Sequence, residues 1–342
     1  MRAILLAAAG LAALSAPAAA QPYRATGVDI ADAAALVTII PEDRADIDVS
    51  VVAGRADLPA PQVRLNGDRV RIDGGLRDRL NGCGGIFVTG PRLPVIIRGL
   101  GQVPAEDLPR ITIRAPRTLD LDSRGSIYGD IGPSQGGRLQ VQGCGAYEVA
   151  AVSGALELQA NGSGDVNVAS VAGNLRASLD GSGDVRVGDV GGDAELMLNG
   201  SGDVRVNDVG GMLTAALRGS GDVQARDVRR EAGLSLDGSG DVQARRVRGG
   251  LRAALDGSGG VAVDSVEGGT VSLELDGSGD LDIGGGRADR LVVRAAGSGG
   301  VSFGGNATVL DAELQGSGDI HVAEVDRAER VIDRGSGDID YN

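Results

Sequence analysis

Residues 200–218 read GSGDVRVNDVGGMLTAALR, and close copies of this stretch follow one another to the end of the chain. Copies that open with GSGD or GSGG start 19 or 20 residues apart, at Gly162, Gly181, Gly200, Gly219, Gly238, Gly257, Gly277, Gly297, Gly316 and Gly335. Weaker copies precede them at Gly82, Gly99, Ser123 and Gly143. A fixed period of this size is typical of a solenoid, in which each repeat packs only against its neighbours.

Apolar and polar residues alternate within each copy. In residues 200–218 the apolar positions include Val204 and Val206, and after a glycine break they resume at Leu213 and Leu217. A period of two puts these side chains on one face of extended strands, and the frequent glycine breaks leave no room for a stable helix. The pattern predicts an all-β fold, a single-stranded parallel β-helix (β-solenoid) with 19–20 residues per coil. Because parallel crossovers strongly prefer one hand, we expect right-handed coiling.

The recurring GSGD tetrapeptide has a structural and a chemical interpretation. Glycine accepts positive φ angles, and an adjacent Asp can bond backbone N–H groups, so the tetrapeptide suits a tight corner. The chemical alternative is a row of carboxylates about 5 Å apart that attracts Ca²⁺. The candidate ligands are Asp165, Asp184, Asp203, Asp222 and Asp241. Because the Asp is replaced at Gly260 and Gly300, we expect the corner role and no cofactor, with Ca²⁺ binding as the alternative.

Composition narrows the classes of partner. The 342 residues are 42% hydrophobic but only 2% aromatic, which suits a thin aliphatic core in layers. The formal net charge is −14. Nucleic acids and anionic membranes are therefore poor partners, because both need clustered cations. An envelope protein or a glycan is the expected partner.

The first 20 residues have the features of a secretory signal peptide, with a cation, an apolar run and small residues before a cleavage site after Ala20. Residues 21–80 have a different pattern and are predicted to form β-strands that cap the solenoid. Residues 81–342 are predicted to form the β-helix, with clean repeats from 162. No later stretch is apolar enough to span a bilayer, so we expect no integral membrane segment after cleavage. The mature protein is predicted to be exported, either periplasmic or secreted and associated with the cell surface.

Cys83 and Cys144 each replace the Ser of a corner. Export to an oxidising compartment favours a disulfide between them. Counting corners separates them by three coils, roughly 14 Å, which is too far for a bond. Pairing therefore requires the segment around Gly82 to fold back as a cap.

Catalysis is not expected. His321 is the single histidine and alternates outward on a strand, and no Ser-His-Asp or Cys-His arrangement is recognisable. Arginines also alternate outward, where a mixed solvated face is expected: Arg176, Arg186, Arg205, Arg226 and Arg245. Because several polysaccharide-cleaving enzymes are β-helices, a carbohydrate-active enzyme is the alternative, and a Ca²⁺-stiffened envelope scaffold is a third hypothesis.

The two ends of the stack differ in sequence. The last coil is rich in charge, which opposes pairing of its open strand edge with another chain. If that edge were left uncovered, it would favour end-to-end self-association. The chain stops at Asn342, seven residues after the last GSGD opens, so we expect no β-barrel translocator in it.

Three stretches resemble the head GIN domain family of proposed auto-transporter adhesins. They are the GSGDV copies, residues 111–127 (ITIRAPRTLDLDSRGSI) and residues 37–52 (VTIIPEDRADIDVSVV). The resemblance implies a β-helical exported or cell-envelope protein with an adhesive or scaffolding role and no established catalysis.

Overall fold

The computed structural model describes residues 21–84 and 92–342, and the predicted signal peptide of residues 1–20 lies outside the described residues. The described chain is built from parallel stacked coils that form a β-solenoid of about 12 turns. Two short 3-10 helices, Arg77–Arg79 and Ala105–Asp107, interrupt the strands. The predicted all-β solenoid is therefore confirmed, while its right-handed coiling stays a prediction.

Eleven described strands precede the two regular strand rows. They are β1 (Gln21–Tyr23), β2 (Gly27–Glu42), β3 (Ile47–Val52), β4 (Gln62–Asn66), β5 (Arg69–Asp73), β6 (Leu80–Cys83), β7 (Val95–Ile97), β8 (Gly101–Val103), β9 (Arg110–Pro116), β10 (Thr118–Ile131) and β11 (Gly136–Val149).

In the repeats, the strands stack in two parallel rows. The first row contains β12 (Leu156–Gly162), β14 (Leu175–Gly181), β16 (Ala194–Gly200), β18 (Leu213–Gly219), β20 (Ala232–Gly238), β22 (Leu251–Leu255), β24 (Thr270–Leu275), β27 (Arg290–Ala295), β29 (Leu310–Leu314) and β31 (Ala328–Asp333). The second row contains β13 (Asp165–Val171), β15 (Val185–Val190), β17 (Val204–Val206), β19 (Val223–Val228), β21 (Asp241–Val247), β23 (Gly260–Glu267), β25 (Asp280–Ile283), β26 (Gly286–Ala288), β28 (Val301–Ala307), β30 (Ile320–Val325) and β32 (Ile339–Tyr341).

Equivalent residues of successive coils lie side by side, which builds the core one layer at a time. Val204 pairs with Val185 on one side and Val223 on the other, and all three side chains are buried. Leu217 is buried in the same way, whereas Thr214 is exposed. Burying a Val or Leu side chain contributes about 1.5–3 kcal/mol, so the alternation seen in the sequence is what holds each coil to the stack.

The corner glycines are needed mainly because the coils approach closely. A Cβ atom on Gly202 would overlap the carbonyl oxygen of Gly183 one coil earlier, and Gly200 stands in the same relation to Gly181. The N–H groups of Ser201 and Gly202 both donate to the Gly181 carbonyl, at 2.9 and 3.2 Å. Stacking of backbone on backbone, more than a positive φ angle, therefore requires glycine at this corner.

The stack begins inside the segment predicted to be a cap. Strand β2 pairs in parallel with β10 on one side and with β5 and β9 on the other. Antiparallel strands then cover this end, because β4 pairs with β5, β3 with β9, and β1 with β3. Residues 21–80 thus supply a long strand of the stack and most of its cover, and β9 completes this end from further along the chain.

Strands β6, β7 and β8 form a separate antiparallel sheet, here called the side sheet. The prediction that Gly82 and Gly99 are solenoid corners is therefore wrong, whereas Gly125, beside Ser123, and Gly143 are aligned in the stack. The side sheet folds back against the coils, and Cys83 is joined to Cys144 with their Cα atoms 5.7 Å apart. The three-coil separation assumed stacking at Gly82, which does not occur.

An aromatic ring lies inside the solenoid near the side sheet. Tyr147 is 1% exposed and aligns with Gly129 of the neighbouring coil, where a Cβ atom would overlap its ring. Its hydroxyl donates to Ser123 Oγ, and burial raises the pKa of Tyr147 well above the usual range. Glycine on one coil thus makes room for tyrosine on the next.

Candidate binding surface

The five candidate Asp ligands form one straight row, and each carboxylate caps the next coil. The Oδ1 atoms accept hydrogen bonds from the backbone N–H of the following member, at 2.9 Å from Asp184 to Asp165 and 3.1 Å from Asp203 to Asp184. Asp222 and Asp241 continue the row at 3.0 Å each. At its end, the N–H of Gly260 donates to Asp241 at 2.9 Å. A residue without a carboxylate, such as Gly260, can therefore donate its N–H to the preceding Asp but offers no side-chain acceptor to the next coil.

The second carboxylate oxygen is also occupied in part of the row. Asp184 Oδ2 accepts from Arg186 at 2.6 Å, and Asp203 Oδ2 accepts from Arg205 at 2.8 Å. Among the described residues, no group of three or more His, Cys, Asp or Glu side chains is arranged to hold a metal ion. The bonds to both oxygens fit the predicted capping role of the row, and Ca²⁺ binding stays the alternative.

A polar row runs along the outer face of the second strand row. Its members are in register on five consecutive coils: Asn167, Arg186, Arg205, Gln224 and Gln243. Arg205 Nε donates to Gln224 at 3.2 Å across one coil step. The row therefore presents amide and guanidinium groups at the regular spacing of the coils.

The outer face of the first strand row alternates in charge. Arg138, Glu157, Arg176 and Glu195 occupy equivalent positions on consecutive coils. The Arg176 guanidinium lies 2.7 Å from the Glu195 carboxylate, and this hydrogen-bonded contact raises the pKa of Arg176. A groove of about 630 Å³ lies along this face. Since neighbouring charges have opposite signs, this row largely neutralises itself.

The remaining predicted arginines, Arg226 on β19 and Arg245 on β21, are also exposed. Arg226 Nε donates to Asp208 at 2.7 Å, and this bond holds the pKa of Asp208 below its usual value. Arg245 contacts Asp227 at 2.7 Å. All five predicted arginines thus lie outward as expected.

One row of the second strand row contains a serine, a histidine and an aspartate that the sequence analysis did not place together. His321 is exposed as predicted, and it lies in register between Ser302 and Asp340. In the described structure, no side-chain hydrogen bond joins these three residues. Their 19-residue spacing is the signal that could have revealed the row, because residues one period apart become neighbours.

Other properties and comparisons bear on the class of protein. In the described parts of the chain, no helix is long and apolar enough to cross a membrane. No curated protein matches the chain. A "putative lipid binding protein" from Parabacteroides distasonis ATCC 8503 is 15% identical, with a TM-score of 0.33, over 90% of this chain and 97% of that chain.

A "putative adhesin" from Bacteroides fragilis NCTC 9343 is 14% identical, with a TM-score of 0.19, over 94% of this chain and 96% of that chain. Both scores are too low for these two structures to carry an argument. The sequence profile described as "Putative auto-transporter adhesin, head GIN domain" matches residues 102–227 and 232–342. This match includes the coils with clean repeats and several before them, and the chain therefore belongs to the head GIN domain family.

Proposed function

We propose that this protein is an exported, non-catalytic binding module of the cell envelope that uses the sides of its solenoid as contact surfaces. The observation that carries the proposal is the unbroken register of the polar row from Asn167 to Gln243. Backbone hydrogen bonds on both sides of each coil fix the spacing of the positions from which these side chains project. Such preorganisation reduces the entropy lost on binding.

Two further facts support this proposal. The family to which the chain belongs is described as one of adhesins. The leader-like composition of residues 1–20 supports export, because an apolar run followed by small residues is typical of a cleaved signal.

Cell fractionation and a glycan array with the purified mature protein test the proposal. We expect the protein in the envelope or secreted fraction, and retention of particular glycans without release of reducing ends. The variant Gln224→Ala/Gln243→Ala should weaken retention, and it should fold because Ala262 occupies the next position of the same row. A cytoplasmic location, or failure to retain any envelope component, would contradict the proposal.

The row of Ser302, His321 and Asp340 is the observation that favours a carbohydrate-active or other hydrolytic enzyme as the alternative. A reducing-sugar assay across the retained glycans separates the two hypotheses. Hydrolysis that disappears in both Ser302→Ala and His321→Ala would establish the enzyme. A third hypothesis, a Ca²⁺-stiffened scaffold, depends on the Asp row and is tested by melting with calcium and with chelator.

A further inference from the structure

Six arginines gather on two consecutive coils, at a place here called the arginine corner. They are Arg226, Arg229, Arg230, Arg245, Arg246 and Arg248. The chain contains 33 cationic residues, all of them arginine, and its formal net charge is −14. Because the protein as a whole is acidic, the clustering of six arginines must have a cause in the structure around them.

One buried carboxylate organises half of the arginine corner. Asp227 is only 9% exposed and lies 2.7 Å from Arg245, 3.4 Å from Arg246 and 3.8 Å from Arg248. Glu267 approaches Arg246 and Arg248 from the next coil, at 3.3 and 3.8 Å. Two carboxylates thus hold three guanidiniums in position.

The other half of the corner is less compensated. Arg226 is paired with Asp208, whereas Arg229 and Arg230 are exposed and have no carboxylate oxygen within 4 Å in the described structure. Arginine presents a planar set of donors that matches carboxylate, sulfate and phosphate groups. The corner therefore offers the exposed guanidiniums of Arg229 and Arg230 to an anion, beside guanidiniums that carboxylates hold in position.

The turn itself does not need these arginines. Gly210 and Gly211 occupy the equivalent positions one coil earlier, where the Gly210 N–H donates to Val190 at 2.8 Å. Arg229 makes the equivalent bond to Val209 at 3.0 Å. Since glycine and arginine support the same backbone geometry, the turn does not explain why arginine stands here.

A cleft beside the corner adds groups of a different kind. It has a volume of about 330 Å³, and its polar lining consists of three arginines, three amides and one carboxylate: Arg205, Arg226, Arg245, Asn207, Gln224, Gln243 and Asp264. Gln224 and Gln243 are in register on adjacent coils. Amides bind hydroxyl groups and guanidiniums bind acidic groups, and a sugar acid carries both.

We propose that the arginine corner and this cleft bind an acidic polysaccharide. Its acidic groups contact the guanidiniums, and its hydroxyl groups contact Gln224 and Gln243. The guanidiniums and amides lie on two adjacent coils about 4.8 Å apart, so an extended chain with several acidic groups can contact more of them at once than a single small anion can. This inference rests on the proposed binding function and names the class of ligand.

The test measures binding of the intact mature protein to immobilised polygalacturonate and heparin at physiological salt. The variant Arg229→Gly/Arg230→Gly copies Gly210-Gly211 of the preceding coil, so it should fold, with a small decrease of the melting midpoint because glycine adds freedom to the unfolded chain. We expect it to weaken binding to at least one of these polymers by about tenfold, equivalent to 1.4 kcal/mol. The matched control Arg218→Asn/Arg294→Gln removes the same charge from exposed sites elsewhere and should change binding by less than about twofold.

Three outcomes would overturn the inference. They are no binding of the wild type to either polymer, equal losses in the two double variants, and corner-dependent binding to phosphatidylglycerol vesicles without binding to glycans. If the glycan array still shows retention that the corner variant leaves intact, only this inference fails. If the protein retains no envelope component at all, the proposed function fails with it.

Discussion

The backbone N–H of Asp203 donates to the Oδ1 atom of Asp184, one coil earlier, at 3.1 Å. The carbonyl of Asp203 accepts from the N–H of Val185 on the same neighbouring coil, at 2.8 Å. At this corner a side chain therefore supplies the acceptor that a β-ladder would normally take from the backbone. An unpaired buried N–H is unfavourable, so each carboxylate of the row stabilises the coil that follows it.

Replacing Asp184 tests this role. Asp184→Ala leaves the Asp203 N–H without its acceptor and should lower the free energy of unfolding by about 1–3 kcal/mol. Asp184→Asn keeps an acceptor oxygen and should lower it less. Thermal and urea unfolding give the values, with Ser182→Ala at the exposed Ser of the same corner as the control. Equal losses in Asp184→Ala and Ser182→Ala would contradict the capping role.

Calcium should not change the melting midpoint. The Asp row already bonds backbone N–H groups and, at Asp184 and Asp203, arginines. Specific binding to the folded state at 100 times the dissociation constant would add about 2.7 kcal/mol of stability. Melting with millimolar Ca²⁺ and with EDTA distinguishes the cases, and a clear increase with Ca²⁺ would favour the scaffold hypothesis.

The close packing of the Tyr147 ring on Gly129 should not tolerate a methyl group at position 129. Gly129→Ala places a Cβ in the ring and should lower the free energy of unfolding by about 1–3 kcal/mol. Tyr147→Val copies Val166 of the next coil and leaves room for that methyl group. A double-mutant cycle should therefore show rescue. Additive losses would mean that the two residues do not compete for the same space.

The Cys83–Cys144 disulfide should hold the side sheet more than the coils. It closes a loop with a sequence separation of 61. In the chain-entropy model such a crosslink contributes about 4 kcal/mol. We expect Cys83→Ser/Cys144→Ser to make residues near the side sheet sensitive to protease, while the main melting transition persists. Loss of the main transition would show that the coils depend on the crosslink.

The ion pair between Arg226 and Asp208 should contribute to stability in a pH-dependent way. The hydrogen bond from Arg226 lowers the pKa of Asp208 in the folded state, whereas an unfolded Asp titrates near about 3.9. Its contribution, about 0.2–1 kcal/mol, is therefore complete above pH 4 and disappears as the pH falls through the lowered folded pKa. Melting curves should show that Arg226→Gln differs from the wild type more at pH 7 than at pH 3.

The control for this pair is Arg218→Asn, which removes an exposed guanidinium that has no carboxylate oxygen within 4 Å in the described structure. Its difference from the wild type should vary less with pH. A pH-independent effect of Arg226→Gln would remove the electrostatic explanation.

The repeated coils were predictable because their information is local. Alternation around Val204 and Leu217 determines which side chains lie inward, and a constant period brings equivalent residues together. The Asp row and the outward arginines follow from the same rule. The reason for glycine at the corner could not be predicted from one repeat, because the close approach of Gly202 to Gly183 occurs between two coils.

The first coils were not predictable in the same way. A glycine pair around one residue marks a sharp turn but not its context, so Gly82 looked like a solenoid corner although it lies in the side sheet. The partners of β2 are separated from it along the chain, and no local pattern specifies such pairings. The residues of the arginine corner and of the row of His321 can be read from the sequence, but which of them become neighbours depends on the strand register.

The position of β2 has a consequence for the order in which the chain folds. Its partners on one side are β5 and β9, and its partner on the other side is β10, so a chain that emerges amino terminus first cannot complete this layer until residue 131 has appeared. Every later coil pairs with the coil that precedes it in the chain, so it can add to a strand edge that is already formed. Assembly should therefore start slowly, with a delayed first step, and then propagate towards the carboxyl terminus.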